Sequence, residues 1–222
     1  IIKKYEGKID YWLSEPDSGM YEAINKGLKI AQEDILAYLN SDDLYYSDTV
    51  KTVVQYFQEH LETELVYGQC DFINEKGQFL YRYYCSKFRW KFFISRNSSS
   101  IAQPTTFWRR VIHKKIGYFD TTLKLSSDFD FYIKTGKICS MDYIKTPLSK
   151  FRIHNASLSA TQGYRYKEEI AIIQRRYECP KGVYRIVLAC CSILQIKLIN
   201  MAAFFKRTEM RFKRILENNS EK

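Results

Sequence analysis

Asp42 and Asp43 are adjacent carboxylates at the end of the run Ile35 to Asp43, ILAYLNSDD. Such a pair forms a hard oxygen site, suited to Mg2+ or Mn2+ carrying substrate phosphates. The residues before the pair fit that chemistry. Ile35 to Leu39 is almost wholly apolar, the pattern of a strand buried on both faces of a parallel sheet. Asn40, Ser41, Asp42 and Asp43 then favour a turn and resist burial. In an open α/β sheet, ligands bind beyond the carboxyl ends of the strands. On this stretch alone a second reading stands level with the first: a polar loop whose aspartates cap the next helix.

The residues upstream separate the two. Ser14 to Ala31 reads SEPDSGMYEAINKGLKIA. With LNSDD, it resembles the family 2 glycosyltransferases of the GT-A fold, which often show EPDxGxYDAxNKGxxxAxGDxxxxLNSDD. The match is dense from Ser14 to Asp43 and continues more weakly to about His154. The resemblance implies an α/β domain with a mixed, mainly parallel sheet flanked by helices. It implies a nucleotide-sugar donor, with Mg2+ or Mn2+ as cofactor. Asp43 then coordinates the metal that bridges the diphosphate, and Asp42 contacts the ribose or shares the metal. SSDFDFYIK, Ser126 to Lys134, resembles the family's EDxDxWxR segment and makes Asp128 the catalytic base. Ser127 departs from that pattern, where an acidic residue is common, and Asp130 is the competing carboxylate. In FRIHNASLS, His154 corresponds to a metal ligand or phosphate donor. Gln103, with Pro104, corresponds to the lining of the donor-sugar or acceptor pocket. Asp17, Tyr21, Asn25 and Lys26 correspond to the nucleotide side.

Family members normally open with a strand, a helix and a second strand ending in a DGxSxDGT-like loop, whose aspartate grips the base. No such segment lies between Ile1 and Ser14, so the domain is expected to be N-terminally truncated, with an exposed sheet edge that favours a homo-oligomer.

Several elements must position these side chains. Asp17 or Ser18 can cap a helix over Gly19–Ala31, with Met20, Ala23, Ile24 and Leu28 as its apolar stripe and Gly27 on the packed side. Ile9 to Leu13 and Leu65 to Ile73 suit strands. NEKG, Asn74 to Gly77, joins the second of these to a strand from Phe79 to Tyr84. Ser126 or Ser127 begins a helix over Asp128–Lys137. Leu148 to Ile153 suits a strand ending at His154, and Tyr164 to Tyr177 a helix. Pro180 and Gly182 mark a boundary between a domain over 1–179 and a tail over 180–222.

The whole chain carries a net charge of +10. From Lys181 to Lys222 there are nine basic residues against three acidic ones, so the excess is concentrated in the tail. On a helical wheel, Val187, Cys190, Leu194, Leu198, Met201, Phe205, Phe212 and Leu216 share one side. Arg185, Ser192, Asn200, Arg207, Arg211 and Arg214 share the other. This is an amphipathic extension suited to an anionic membrane surface. The competing readings are packing of the apolar stripe on the domain and a membrane span over 186–205, which Lys197 opposes. The basic residues are not interleaved with stacking aromatics, so nucleic acid is not an expected partner. Six cysteines without CxxC spacing suit reduced thiols in a cytosolic setting.

The expected function is metal-dependent, inverting sugar transfer to a cell-surface glycan or its lipid-linked precursor, at the cytoplasmic face of the membrane. The alternative is a non-catalytic relic of the same fold acting as an assembly module.

Overall fold

A computed structural model describes residues 1–154 and 162–201, together with 205, 208 and 209. In chain order, the strands are β1 (Ile35–Leu36), β2 (Leu44–Tyr45), β3 (Leu65–Ile73), β4 (Phe79–Tyr83), β5 (Phe107–Arg109) and β6 (Met141–Arg152). The helices are α1 (Met20–Ile30), α2 (Thr49–Glu59), α3 (Trp90–Ile94), α4 (Ile112–Ile116), α5 (Ser127–Ile138), α6 (Gly163–Arg176) and α7 (Gly182–Ile199). Short 3-10 turns occupy Ile2–Lys8 and Gln103–Thr105.

The strands form one mixed sheet in the order β1-β5-β3-β6-β2. β5 pairs with Leu65 and Val66, while β4 pairs with Cys70 to Ile73, so both lie on the same edge of β3 at opposite ends. β6 runs along its other edge. The expectation of a mainly parallel sheet needs correction. Among the described residues β3–β6 is the one parallel pair, and β1–β5, β3–β5, β3–β4 and β2–β6 are antiparallel. β5 returns between β1 and β3, so these two share a direction without touching. A wholly apolar run reports burial on both faces and is silent about the direction of the neighbour.

β3 is the hub because its alternate side chains feed both faces. Leu65 and Tyr67 enter a large aromatic core with Trp108, Phe129, Phe131 and Tyr132, roofed by α1, α3, α5 and α6. Val66 enters a smaller core with Val53 and Phe57 of α2, Phe107 and Leu148.

Three other expectations are revised. Ile9–Leu13 forms no strand: these residues are exposed and find no ladder partner among the described residues. Gly27 faces open space, with nothing within 4 Å of where a β-carbon would stand, so it permits no close packing. α7 does lie against the domain, but through the other arc. Leu188, Ser192, Ile196 and Asn200 are buried. Arg185 donates to Gln174 Oε1 at 2.7 Å, and the Asn200 amide exchanges hydrogen bonds with the Tyr84 backbone. Val187, Leu194, Leu198, Met201 and Phe205 are each at least half exposed. Phe212, Leu216, Arg207, Arg211 and Arg214 lie outside the described residues.

Gly68 sits where β3 meets the irregular middle of β6. A β-carbon there would lie 2.6 Å from Leu148 Cγ and 2.7 Å from the Thr146 carbonyl. Because backbone cannot rotate away, Gly68→Ala is expected to cost about 1–3 kcal/mol in urea unfolding. An unchanged midpoint would show that this strand pair tolerates widening.

Candidate active site

The turn that carries Asp42 and Asp43 is held from outside. β1 and β2 on either side are two residues each, too short to fix it. Within the turn, Asp43 N–H donates to the Asn40 carbonyl at 3.1 Å. The remaining anchors come from Arg152 at the end of β6. Its N–H donates to Asp43 Oδ1 at 2.9 Å and its Nε to the Asp42 carbonyl at 2.9 Å. Its Nη1 reaches the carbonyls of Asn74 and Glu75, at 3.1 and 2.9 Å, in the β3–β4 turn. Two residues on, His154 Nε2 lies 2.8 Å from Asp42 Oδ2. The Asn40 amide lies 3.4 Å from both Asp43 Oδ2 and Gln103 Oε1, and Gln103 Nε2 donates to the Tyr38 carbonyl at 2.9 Å.

Across a cleft of about 840 Å3 from this turn stands Asp128, in the first turn of α5. Tyr21 of α1 places its hydroxyl 3.3 Å from Asp128 Oδ1, and Phe129 N–H donates to the same oxygen at 2.8 Å. Tyr38, Tyr166, Ser98 and Ser99 contribute to the lining. The cleft thus brings together Tyr21, Asp42, Asp43, Gln103, Asp128 and His154.

Both facing carboxyls are hard to ionise. Burial pushes Asp43 up to about 6, helped by the charge of Asp42 and opposed by the Arg152 amide. Burial likewise pushes Asp128 up to about 6, opposed by the Phe129 N–H and the Tyr21 hydroxyl. A carboxylate poised near neutrality suits proton transfer, and one short of neutralising partners suits a cation.

Three residues expected on the nucleotide side do not enter this cleft. Asp17 accepts the Gly19 N–H at 2.9 Å, shaping the turn into α1 at a glycine with φ of 140°. Asn25 is buried and bridges the backbone N–H and carbonyl of Phe119, at 3.0 and 2.8 Å. Lys26 pairs with Glu15 at 2.7 Å and donates to the Pro16 carbonyl. Asp17 and Lys26 border a separate open groove beside the Lys8–Asp17 segment. Tyr21 does enter, but as a neighbour of Asp128. Asp130, the competing carboxylate, is buried against Lys134 and Arg176, at 2.8 and 3.0 Å, and faces away from the cleft.

Arg152 and Glu169 were not singled out in the sequence. Arg152 stands inside FRIH, where the histidine draws the eye. Glu169 lies beside Ile170 on the buried face of α6, and an acidic residue inside an apolar stripe is the signal that could have found it.

Among the described residues, no three His, Cys, Asp or Glu side chains close a metal centre. The donor chemistry nevertheless fits a hard divalent cation. Among the described residues Asp43 Oδ2 has only the long contact from Asn40, and Asp42 with His154 stands beside it. Such an ion would take its remaining oxygens from phosphate and water.

The family model described as glycosyl transferase family 2 matches residues 1–125, and the chain belongs to that family. It is 29% identical over 168 residues to an uncharacterized glycosyltransferase of Rickettsia typhi, covering 72% of this chain and 52% of the relative. It is 30% identical over 128 residues to a PGL/p-HBAD biosynthesis glycosyltransferase of Mycobacterium tuberculosis, covering 54% of this chain and 44% of that protein. The chain thus spans about half the length of the curated relatives it matches. The fold resembles S. aureus TarS 1-349 solved with UDP-GlcNAc, with a TM-score of 0.55 and 16% identity over 86% of this chain and 58% of that one.

The raised Asp128 carboxyl has a consequence for stability. In the unfolded chain it ionises at its ordinary value of 3.8, and in the fold at about 6. Below the lower value both states hold the proton and nothing differs. As pH rises through the window the fold bears an ionisation cost, which is complete above about 6. Asp128→Asn is therefore expected to stabilise the chain by about 1–3 kcal/mol at pH 8 and by nothing measurable near pH 3. Urea unfolding at both pH values checks this. Equal midpoints at pH 8 would mean that the carboxylate is better solvated than the cleft geometry implies.

Proposed function

We propose that this chain carries the catalytic centre of an inverting, metal-dependent glycosyltransferase that uses a nucleotide-sugar donor. The observation that carries the reading is one cleft in which the buried Asp43 and the partly buried Asp128 face each other from separate elements, an environment that raises both carboxyls.

In this reading Asp128 is the general base. It takes the proton of the acceptor hydroxyl as that oxygen forms a bond to the anomeric carbon. The bond from that carbon to the diphosphate oxygen breaks on the opposite face, and the nucleoside diphosphate leaves with the electron pair. One displacement inverts the anomeric centre. Tyr21 orients the base through its hydroxyl. Asp43, Asp42 and His154 would hold the Mg2+ or Mn2+. When bound, that ion neutralises charge on the departing diphosphate. Asn40 and Gln103 set the shape of the sugar-side wall. The UDP-GlcNAc in the TarS structure supports a nucleotide-sugar donor, and the PGL/p-HBAD biosynthesis named for the mycobacterial relative is compatible with a glycan or lipid-linked acceptor.

The orientation of α7 supports a peripheral position on the cytoplasmic membrane face. Its polar arc is already occupied by the domain, so the exposed arc of Val187, Leu194, Leu198 and Met201 is left for a lipid surface. α7 is long and apolar enough to cross a membrane, with mean hydropathy 1.7, and 17% of it is buried. Spanning would strip Arg185 and Asn200 of their partners, which favours a helix lying in the interface. The basic excess after Lys181 complements anionic headgroups, at about 1 kcal/mol for each residue near the surface.

Two experiments test these readings. With nucleotide sugar, Mn2+ and acceptor, Asp128→Asn is expected to cut turnover by about 10²–10⁴ with donor affinity little changed. Asp43→Asn should lose metal-dependent donor binding by calorimetry. Wild-type turnover in Asp128→Asn would remove it as the base, and donor binding without any turnover in the parent would favour the assembly-module reading. Separately, the chain should sediment with anionic vesicles, less so in high salt, and Leu194→Glu with Leu198→Glu should abolish this without unfolding the domain. Equal sedimentation of the double variant would place the contact elsewhere.

A further inference from the structure

We propose that Glu169 is the positioning residue of the catalytic base, setting the placement of Asp128 by gathering the backbone that launches α5. The inference rests on the assignment of Asp128 as base.

Glu169 stands on α6, 41 residues after Asp128 in the chain, and is 5% exposed. Its carboxylate gathers the segment that launches α5. Oε1 accepts the Lys124 N–H at 2.8 Å. Oε2 accepts the N–H groups of Leu125 and Ser126, at 2.9 and 3.0 Å, and the Ser126 hydroxyl at 2.9 Å. Arg165, one turn earlier on α6, lies 3.6 Å from Oε1 and is largely exposed.

Three consecutive backbone N–H groups and a hydroxyl therefore converge on one carboxylate, two residues before Asp128. No side chain caps α5, and the Ser126 hydroxyl, which could have done so, is turned to Glu169 instead. The carboxylate fixes the start of the helix from outside it. Hydrogen bonds to an ionised acceptor are the strong ones, and four of them offset the burial of the charge. An amide cannot replace this arrangement, because its NH2 would face N–H donors.

The groups around the Asp128 carboxyl are Tyr21 on α1, Tyr38 after β1, Tyr132 on α5, and Tyr166 and Glu169 on α6, with Asp42, Asp43 and His154 across the cleft. The tyrosines are neutral through the working range. Glu169 is the carboxylate whose charge raises the Asp128 carboxyl further, on top of the larger effect of burial. Removing that charge and loosening the segment both lower the pH at which Asp128 ionises.

The test uses the 222-residue chain carrying Glu169→Gln, with Glu169→Asp and Asp128→Asn as companions. The Asp128 carboxyl is titrated by carbon NMR, which needs no turnover, and kcat and donor KM are followed against pH. In Glu169→Gln the Asp128 titration and the acid limb of kcat should both move to lower pH. The kcat should fall about tenfold to a hundredfold with donor KM held. Glu169→Asp keeps the charge but withdraws it by one methylene, so kcat should fall with a smaller movement of the titration. It also serves if the glutamine variant does not fold. A folded variant with unmoved titration and unmoved kcat overturns the proposal. So does a loss of melting temperature alone. If Asp128→Asn turns over normally, the base assignment has failed instead, and the NMR titration still reports whether Glu169 governs Asp128.

Discussion

The site depends on the capture of the Asp42–Asp43 turn by the end of β6. Two-residue strands cannot hold a carboxylate-bearing turn in one place, so position has to be imported. Arg152 supplies it with its backbone N–H and two guanidinium nitrogens, tying Asp43, Asp42 and the β3–β4 turn to a single residue. The guanidinium goes mainly to carbonyl oxygens, and only its amide meets a carboxylate. Asp43 consequently remains under-neutralised. That arrangement holds the chain still while leaving room for a cation.

The same logic applies on the far wall. Asp128 is placed by an aromatic frame, with Tyr21 stacked on Phe119 at 5.6 Å and Phe119 against Tyr38 and Phe131 at 5.5 and 4.8 Å. These rings exclude water and so push the carboxyl upward. The cost of two poorly solvated carboxyls falls on the fold. It is offset by the two cores on either face of β3, whose residues Leu65, Val66 and Tyr67 are wholly buried. The cleft destabilises and the sheet compensates.

Much of this was legible in the residues. The strand Leu65–Ile73, the hairpin after it, and the helices α1, α5 and α6 follow from apolar period and from turn residues. Asp42, Asp43, Asp128, Gln103 and His154, far apart in the chain, line one cleft. What was not legible shares one cause. Asn25 and Lys26 sit on the expected helix, yet their partners, Phe119 and Glu15, depend on tertiary placement. Arg152 acts on backbone groups far away in the chain and leaves no periodic mark, while the acidic Glu169 inside the apolar stripe of α6 marks a buried charge without naming its partners. α7 shows the same limit in another form. Its amphipathicity was clear, but the wheel could not say that Arg185, Ser192 and Asn200 would dock on the domain and leave the apolar arc outside. An apolar stripe normally turns inward; here Gln174, Arg96 and Tyr84 offer polar partners, which reverses the preference.

The central claim is that a cation and a diphosphate share the cleft at the Asp42–Asp43 turn. The most direct measurement is paramagnetic broadening of backbone NMR signals by Mn2+ added with a nucleoside diphosphate, against the same titration with Mg2+. The account predicts the strongest loss of signal at Ser41 to Asp43 and Arg152 to His154, weaker loss at Asp128 and Tyr21, and the least at Glu15 to Asp17 and Lys26, relative to the Mg2+ control. Broadening centred on the groove beside Lys8 to Asp17, with the Asp42–Asp43 turn unaffected, would contradict it.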